Sequence, residues 1–95
     1  MLIISYDIED DQLRNHFNRM LTKNGAIRLQ YSVYEFNNTK RQTDNILLKI
    51  KNYYASRFGG GDSVLIIDAT SDKIQKFGNA IHRDQDIVFL WQTSI

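Results

Sequence analysis

The chain contains no cysteine and no proline, and its apolar runs are short. Without cysteine it forms neither disulfides nor thiolate metal sites, which is typical of proteins in a reducing compartment. No apolar stretch approaches the roughly 18 residues that a membrane-spanning helix needs. The chain also opens on a strand-like apolar segment and not on a basic leader. These absences predict a cytoplasmic protein that does not associate with a membrane.

The remaining composition is that of a small globular protein. Of the 95 residues, 42% are hydrophobic and 24% are charged, as in ordinary soluble domains. We therefore predict a single domain over residues 1–95. A domain of this size leaves much of its surface exposed, so an oligomer interface would bury more of it.

The net charge of +1 conceals an uneven distribution along the chain. Residues 1–11 carry four acids and no base, residues 12–57 carry nine bases and two acids, and residues 58–95 carry three bases and five acids. An acidic patch beside a basic middle suits a polyanion held near a bound cation. A solvated helical surface would have the same charges, and charge alone does not decide between the two. The candidate nucleic-acid contacts are Arg14, Arg19, Arg28, Lys40 and Arg41.

The first third of the chain alternates between strand and helix patterns. Leu2–Tyr6 is an apolar run of strand length. From Asp10 onward apolar residues recur one helical turn apart, which predicts a helix that Asp10 or Asp11 caps and Asn24-Gly25 ends. Ala26–Phe36 alternates and predicts a long strand with one buried face, either continuous or broken midway by a bulge or tight turn. We expect its other face to carry Arg28, Gln30, Ser32 and Tyr34.

The second half repeats the alternation. Asn37-Asn38-Thr39 offers caps for a second helix, which Gly59–Gly61 ends. Val64–Ile67, apolar on both faces, predicts a central strand. The later segments predict a weaker strand, a turn, a loop and a final strand, in the order Lys73–Phe77, Gly78-Asn79, Ala80–Asp86 and Ile87–Trp91.

This order of elements predicts an α+β protein, a two-layer sandwich with both helices on one face of a mixed or antiparallel sheet. The final strand is apolar on both faces and follows a loop. Because an unpaired apolar edge invites association, we expect residues 86–92 to pair with a second protomer.

The acidic cluster at residues 7–11 is the first candidate for chemistry. Asp10 and Asp11 are best explained as caps of the first helix. Asp7 comes one position too early for the cap and directly follows an apolar strand that would aim its carboxylate. Magnesium prefers oxygen ligands and keeps several waters, so two Asp7 side chains across a dimer axis would make a plausible site. From the residues alone, metal binding and capping both stay open for Asp7.

Other familiar sites are missing from the sequence. His16 and His82 have no zinc spacing, and no serine forms a supported triad with them. We interpret His16 as a surface histidine, with proton transfer as the alternative. Gly59–Gly61 is not followed by Gly-Lys-Ser/Thr and therefore predicts a turn, not a phosphate loop.

Several segments in order resemble the CRISPR-associated Cas2 family. They comprise a strand ending in Tyr-Asp, an arginine on the next helix, an Arg-x-Gln-x-Ser-Val-aromatic strand, a later apolar strand and a Gly-Asn turn. In this chain they are Ile3-Ile4-Ser5-Tyr6-Asp7-Ile8, Asp10-Asp11-Gln12-Leu13-Arg14-Asn15, Arg28-Leu29-Gln30-Tyr31-Ser32-Val33-Tyr34-Glu35, Asp62-Ser63-Val64-Leu65-Ile66-Ile67 and Gly78-Asn79. The likeness spans nearly the whole chain.

The resemblance implies a ferredoxin-like homodimer in which two strand-end aspartates face each other around Mg²⁺. It implies binding of the Cas1 integrase and of captured DNA in spacer acquisition, and cleavage of RNA or double-stranded DNA. By position, Asp7 matches the metal ligand and Tyr6 its neighbour in the site. Arg14, Arg28 and Tyr34 match positions implicated in catalysis or substrate contact. His16 departs from members that carry a second arginine there, which predicts weaker phosphate binding.

Two functions follow as hypotheses. One is a Mg²⁺-dependent endonuclease built on Asp7, acting on double-stranded DNA or single-stranded RNA. The other, which we favour, is a dimeric adaptor for spacer acquisition that needs the basic surface and the dimer edge but not Asp7. The alternative to both is a stand-alone RNA endonuclease of toxin type on the same fold.

Overall fold

The computed structural model describes residues 1–78 of the chain. Its strands and helices are β1 (Leu2–Asp7), α1 (Asp11–Lys23), β2 (Ile27–Gln30), β3 (Val33–Phe36), α2 (Lys40–Lys49) and β4 (Ser63–Asp68). Helix α2 continues into a π-helical turn (Ile50–Tyr54) and a 3₁₀ turn (Ala55–Arg57), and a second 3₁₀ turn covers Ser71–Lys73. Asn79, the predicted loop at 80–86 and the predicted exchanged strand at 86–92 lie outside the described residues.

The four strands form one antiparallel sheet in the order β2-β3-β1-β4. The chain therefore runs β-α-β-β-α-β, with β3 inserted between the first and second strands. This is the ferredoxin-like α+β arrangement that was expected, and every pairing in it is antiparallel.

The core lies between the helices and one face of the sheet. Alternate residues of a strand point to opposite faces, so the even-numbered residues of β1 pack against the helices while Ile3, Ser5 and Asp7 point away. The buried hydrophobic residues are Leu2, Ile4, Tyr6, Ile8, Phe17, Met20, Leu21, Ala26, Tyr34, Phe36, Ile46, Ile50 and Tyr54. Both helices therefore cover the same face, as predicted.

The helix ends follow the local chemistry of the sequence. The Asp10 carboxylate accepts a hydrogen bond from the Leu13 amide at 2.8 Å and begins α1. The Thr39 hydroxyl accepts one from the Gln42 amide at 3.2 Å and begins α2. Gly25 has a φ of +90°, which a side chain would rarely tolerate, and it ends α1 at the predicted place.

The predicted long strand at 26–36 is a hairpin. The chain reverses at Tyr31-Ser32, and β2 pairs with β3 with a register shift between Arg28 and Gln30. Arg28 stands opposite Tyr34, whereas Gln30 stands opposite Val33 and so belongs to the other face. The prediction that Arg28, Gln30, Ser32 and Tyr34 share an exposed face is therefore wrong, because a reversal and a bulge each change the alternation.

One further strand prediction needs correction. Lys73–Phe77 is not a strand, since Lys73 ends a 3₁₀ turn and residues 74–77 have no regular structure. Its apolar residues, Ile74 and Phe77, are three positions apart and could not face the same side of a strand. Within residues 1–78, β4 pairs with β1 along one edge, and the central position expected for Val64–Ile67 stays a prediction.

No helix among residues 1–78 is long and apolar enough to cross a membrane.

Candidate functional site

Asp7 is the last residue of β1, and its carboxylate is exposed. Its register partner is Ser63, at the start of β4. Because Tyr6 points into the core, Asp7 points to the face of the sheet that the helices do not cover. The strand thus presents this carboxylate on a rigid element at the rim of that surface, which we call the open face.

The open face is apolar at Leu65 and Ile67 of β4 and at Ile3 of β1. Leu65 is 60% exposed and stands opposite Ser5, and Ile67 is 48% exposed and stands opposite Ile3. An ion pair crosses the far side of the face, where Lys76 Nζ lies 2.5 Å from Glu35 Oε1. Asp7 therefore borders an apolar patch and not a polar cleft.

Asp7 offers a carboxylate to Mg²⁺ at this position. Among residues 1–78, no group of three or more histidine, cysteine, aspartate or glutamate side chains is placed to hold a metal ion. An exposed carboxylate at a strand end is chemically suited to Mg²⁺, which takes oxygen ligands and retains much of its water. A second Asp7 carboxylate from another copy of the chain would add the ligand that the implied site requires.

Arg14 organises the loop that follows Asp7. Its Nη1 donates to the carbonyl oxygens of Ile8 at 3.1 Å and Glu9 at 3.4 Å. Its Nη2 bonds the Asp11 carboxylate, and this hydrogen bond raises the pKa of the Arg14 guanidinium. Although Arg14 was expected to contact phosphate, the structure shows its guanidinium engaged with the backbone of its own loop. The arginine therefore fixes the turn between Asp7 and α1.

Asp62 holds the same loop from the other side, and sequence reasoning missed this role. One carboxylate oxygen accepts from the Glu9 amide at 2.8 Å, and the other accepts from the Gly59 amide at 2.8 Å. The two backbone hydrogen bonds lower the pKa of the Asp62 carboxyl. An aspartate directly after a glycine run was the available signal, because such residues often bond nearby backbone amides.

Tyr6 and Tyr34 are core residues. They are 5% and 2% exposed, and both hydroxyls donate to Oδ1 of Asn18 on α1, the Tyr34 bond measuring 3.0 Å. The two rings stack with centroids 6.1 Å apart, and Tyr6 also packs edge-on against Phe17 at 4.9 Å. The Tyr34 ring is therefore buried, although the strand pattern placed it on the exposed face. Both tyrosines support the strand that carries Asp7 from its opposite face.

The ionisation of Tyr6 reflects this position. Burial raises its pKa strongly, the neighbouring Tyr34 hydroxyl adds to the increase, and the positive charge of Arg28 opposes it. The Tyr6 phenol therefore stays protonated near neutral pH and donates its hydrogen bond. Asn18, which accepts from both phenols, was not identifiable from the sequence because nothing local marks its partners.

The other predicted basic contacts lie on three different elements. Arg28 is exposed on β2, with its guanidinium 5.3 Å from the centre of the Tyr31 ring. Arg19 is exposed on α1 and lines the same cavity as Lys49, the last residue of α2. Lys40 and Arg41 occupy the first turn of α2, where Lys40 Nζ pairs with Asp44 at 3.0 Å.

The comparisons with known proteins agree with this architecture. The family model of the CRISPR associated protein Cas2 matches residues 1–77. None of the curated proteins matches the chain. Among solved structures, the chain is similar to the hypothetical protein TT1823 from Thermus thermophilus, at 23% identity and a TM-score of 0.63, over 81% of this chain and 88% of that one. At that level of identity the likeness shows the fold alone.

Proposed function

This chain belongs to the family of the CRISPR associated protein Cas2, and we propose that it acts in spacer acquisition as a homodimer that binds double-stranded DNA and the Cas1 integrase. Its function is CRISPR-associated, as the family implies. We further propose that the dimer has a Mg²⁺-dependent endonuclease activity centred on Asp7. The observation that supports both is the exposure of Asp7 at the rim of an apolar sheet face.

The open face supports the proposal of a homodimer. Fully burying a leucine or isoleucine side chain stabilises an association by about 1.5–3 kcal/mol. A two-fold interface would bury Leu65 and Ile67 of both copies, so each contribution counts twice. The same arrangement would bring two Asp7 carboxylates near one axis, as the proposed metal site requires. The predicted pairing of residues 86–92 with the partner's sheet would extend this interface.

In the proposed nuclease, two Asp7 carboxylates would hold the ion. Bound Mg²⁺ would supply Lewis-acid activation of the scissile phosphate and of a water molecule. The Asp7 carboxylate would hold the cation, while the hydrogen bonds of Arg14 and Asp62 fix the backbone of the loop that follows it. Arg28 is exposed on the edge strand β2, on the face of Tyr34 and not of Asp7, so it would bind backbone phosphate away from the ion.

The test compares Asp7→Asn with Asp68→Asn. Both aspartates are the exposed last residues of neighbouring strands, but Asp68 pairs with Leu2 at the opposite end of the sheet. We expect Asp7→Asn to lose Mg²⁺-dependent cleavage of single-stranded RNA and double-stranded DNA by about a hundredfold or more, since the ion loses its ligand. Asp68→Asn should cleave like the parent, and both variants should remain dimers by light scattering.

The adaptor role is tested with the same variants in a Cas1-dependent DNA integration assay. Asp7→Asn should integrate DNA at the parental level, because the adaptor role depends on the dimer and the basic surface. Cleavage by Asp7→Asn at the parental rate would refute the metal-site proposal. A loss of integration in Asp7→Asn alone would refute the proposal that the adaptor works without that carboxylate.

A further inference from the structure

The layer of helices contains a groove that the Asp7 site does not use. It has a volume of about 410 Å³, within the range of small-ligand sites. It lies between α1 and the end of α2, and we call it the helical groove. The residues that line it include His16, Arg19, Lys23, Lys49, Tyr53 and Tyr54. Since both helices cover the face opposite Asp7, this groove and the open face lie on different sides of the sheet.

The charge of the helical groove has one sign. Arg19 and Lys23 reach it from α1 and Lys49 from α2, and no acidic residue is among those that line it. Within residues 1–78, no carboxylate forms an ion pair with any of these three side chains. Lys40, by contrast, is paired with Asp44 on the same helix as Lys49. Three converging cations repel one another, and a bound anion would relieve that repulsion.

The aromatic wall of the helical groove is built by an irregular turn. The π-helical turn at Ile50–Tyr54 places two consecutive tyrosines beside His16. His16 Nδ1 lies 2.8 Å from the Tyr54 hydroxyl, and the imidazole stacks on Tyr53 with ring centres 5.6 Å apart. Turns of this kind are rare inside helices and are frequent at functional sites.

Tyr53 is itself held from another element. The Arg57 guanidinium lies 3.7 Å from the centre of its ring and donates to its backbone carbonyl at 2.6 Å. Because the Tyr53 ring already contacts the His16 imidazole and the Arg57 guanidinium, it is held in place and is poorly available for stacking on a nucleic-acid base. The ligand chemistry of the groove is therefore set by its cations, which favour phosphate oxygens.

We infer that the helical groove binds backbone phosphates of double-stranded DNA, as a contact surface separate from the Asp7 site. This inference rests on the proposed DNA-binding function and assigns part of it to Lys23 and Lys49, which the sequence did not single out. In a dimer formed through the open faces, the two grooves would lie on the outer sides of the particle. Each copy would then offer DNA a basic surface that remains accessible after dimerisation.

The experiment compares two double variants that remove the same charge. The groove variant, Lys23→Ala/Lys49→Ala, removes both lysines that line the helical groove. The control variant, Lys51→Ala/Lys73→Ala, removes two exposed lysines that do not line it. Binding of a fluorescein-labelled DNA duplex of mixed sequence is measured by anisotropy across a series of salt concentrations. The groove variant should bind about tenfold more weakly, and the slope of log affinity against log salt should fall by about two. The control should stay within about twofold of the parent, as expected for lysines without phosphate contacts.

A competition arm separates the DNA backbone from a free nucleotide as the source of the phosphate. Unlabelled duplex should displace the probe at far lower concentration than thymidine 5′-monophosphate, because a strand contacts several cations at once. Equal displacement by the mononucleotide would overturn the inference, and so would equal weakening of the two double variants. If the parent chain binds no duplex, the proposed DNA-binding function fails as well. If the parent binds and the groove variant matches it, only the helical groove is refuted.

Discussion

Replacing Asn18 by leucine should destabilise the fold far more than expected for a polar residue of α1. Its Oδ1 atom accepts hydrogen bonds from the hydroxyls of Tyr6 and Tyr34, and both tyrosines are buried. Each hydroxyl left without a partner costs about 1–3 kcal/mol, so Asn18→Leu, which leaves two, should lower the free energy of unfolding by about 2–6 kcal/mol. That loss is a large part of the stability of a small domain, about 5–15 kcal/mol.

The assay is urea denaturation followed by circular dichroism, at one fixed protein concentration because association also stabilises the fold. Asn15→Leu is the matched control, since Asn15 is exposed on the same helix, and it should stay within about 0.5 kcal/mol of the parent. The triple variant Asn18→Leu/Tyr6→Phe/Tyr34→Phe should recover most of the loss, because no unpaired hydroxyl remains. The reasoning is refuted if Asn18→Leu costs no more than Asn15→Leu, or if the triple variant is no more stable than Asn18→Leu.

Two further outcomes follow from the same structure. The pKa values of Tyr6 and Tyr54 are raised, chiefly by burial. When the pH rises past 10.0, the ordinary pKa of a tyrosine, the unfolded chain therefore loses these protons before the folded chain does. The free energy of unfolding, measured in urea, should fall above that pH, and it should fall less steeply in Tyr6→Phe. If the chain forms the proposed dimer, Leu65→Glu should sediment as a monomer in sedimentation velocity at equal concentration, whereas Leu48→Glu, which changes an exposed leucine of α2, should remain dimeric. An unchanged sedimentation coefficient in Leu65→Glu would contradict the assignment of the open face as the dimer interface.

The parts of the fold that the sequence predicts are those that depend on local chemistry. Asp10 caps α1 because a short carboxylate reaches the amide three residues ahead, and that distance is fixed in any helix. The apolar spacing that buries Phe17, Met20 and Leu21 needs no knowledge of the partner surface. The exposure of Asp7 follows from alternation along a single short strand.

The parts that the sequence does not predict depend on how segments meet. Tyr31-Ser32 reverses the chain without glycine or asparagine, the usual marks of a tight hairpin turn. The bulge between Arg28 and Gln30 then changes which side chains of β2 share a face, whereas Tyr34 lies in the core because β3 pairs it with the buried Ile4 of β1. The role of Asn18 appears only when β1, β3 and α1 are assembled, because its two donors come from different strands.

The placement of Arg14 changes how the residues around Asp7 should be understood. An arginine one turn into a helix, beside an acidic cluster, has the pattern of a phosphate contact, but its guanidinium bonds the carbonyls of Ile8 and Glu9. Asp62 bonds the amide of Glu9, so both groups act on the backbone directly after the strand-end carboxylate. In the proposed dimer, Asp7 would meet its symmetry mate across an axis and would tolerate little positional error, because Mg²⁺ demands close to ideal octahedral geometry. Rigidity of the loop therefore contributes more to the proposed site than one additional positive charge would, and Arg14 acts on it as a positioning residue.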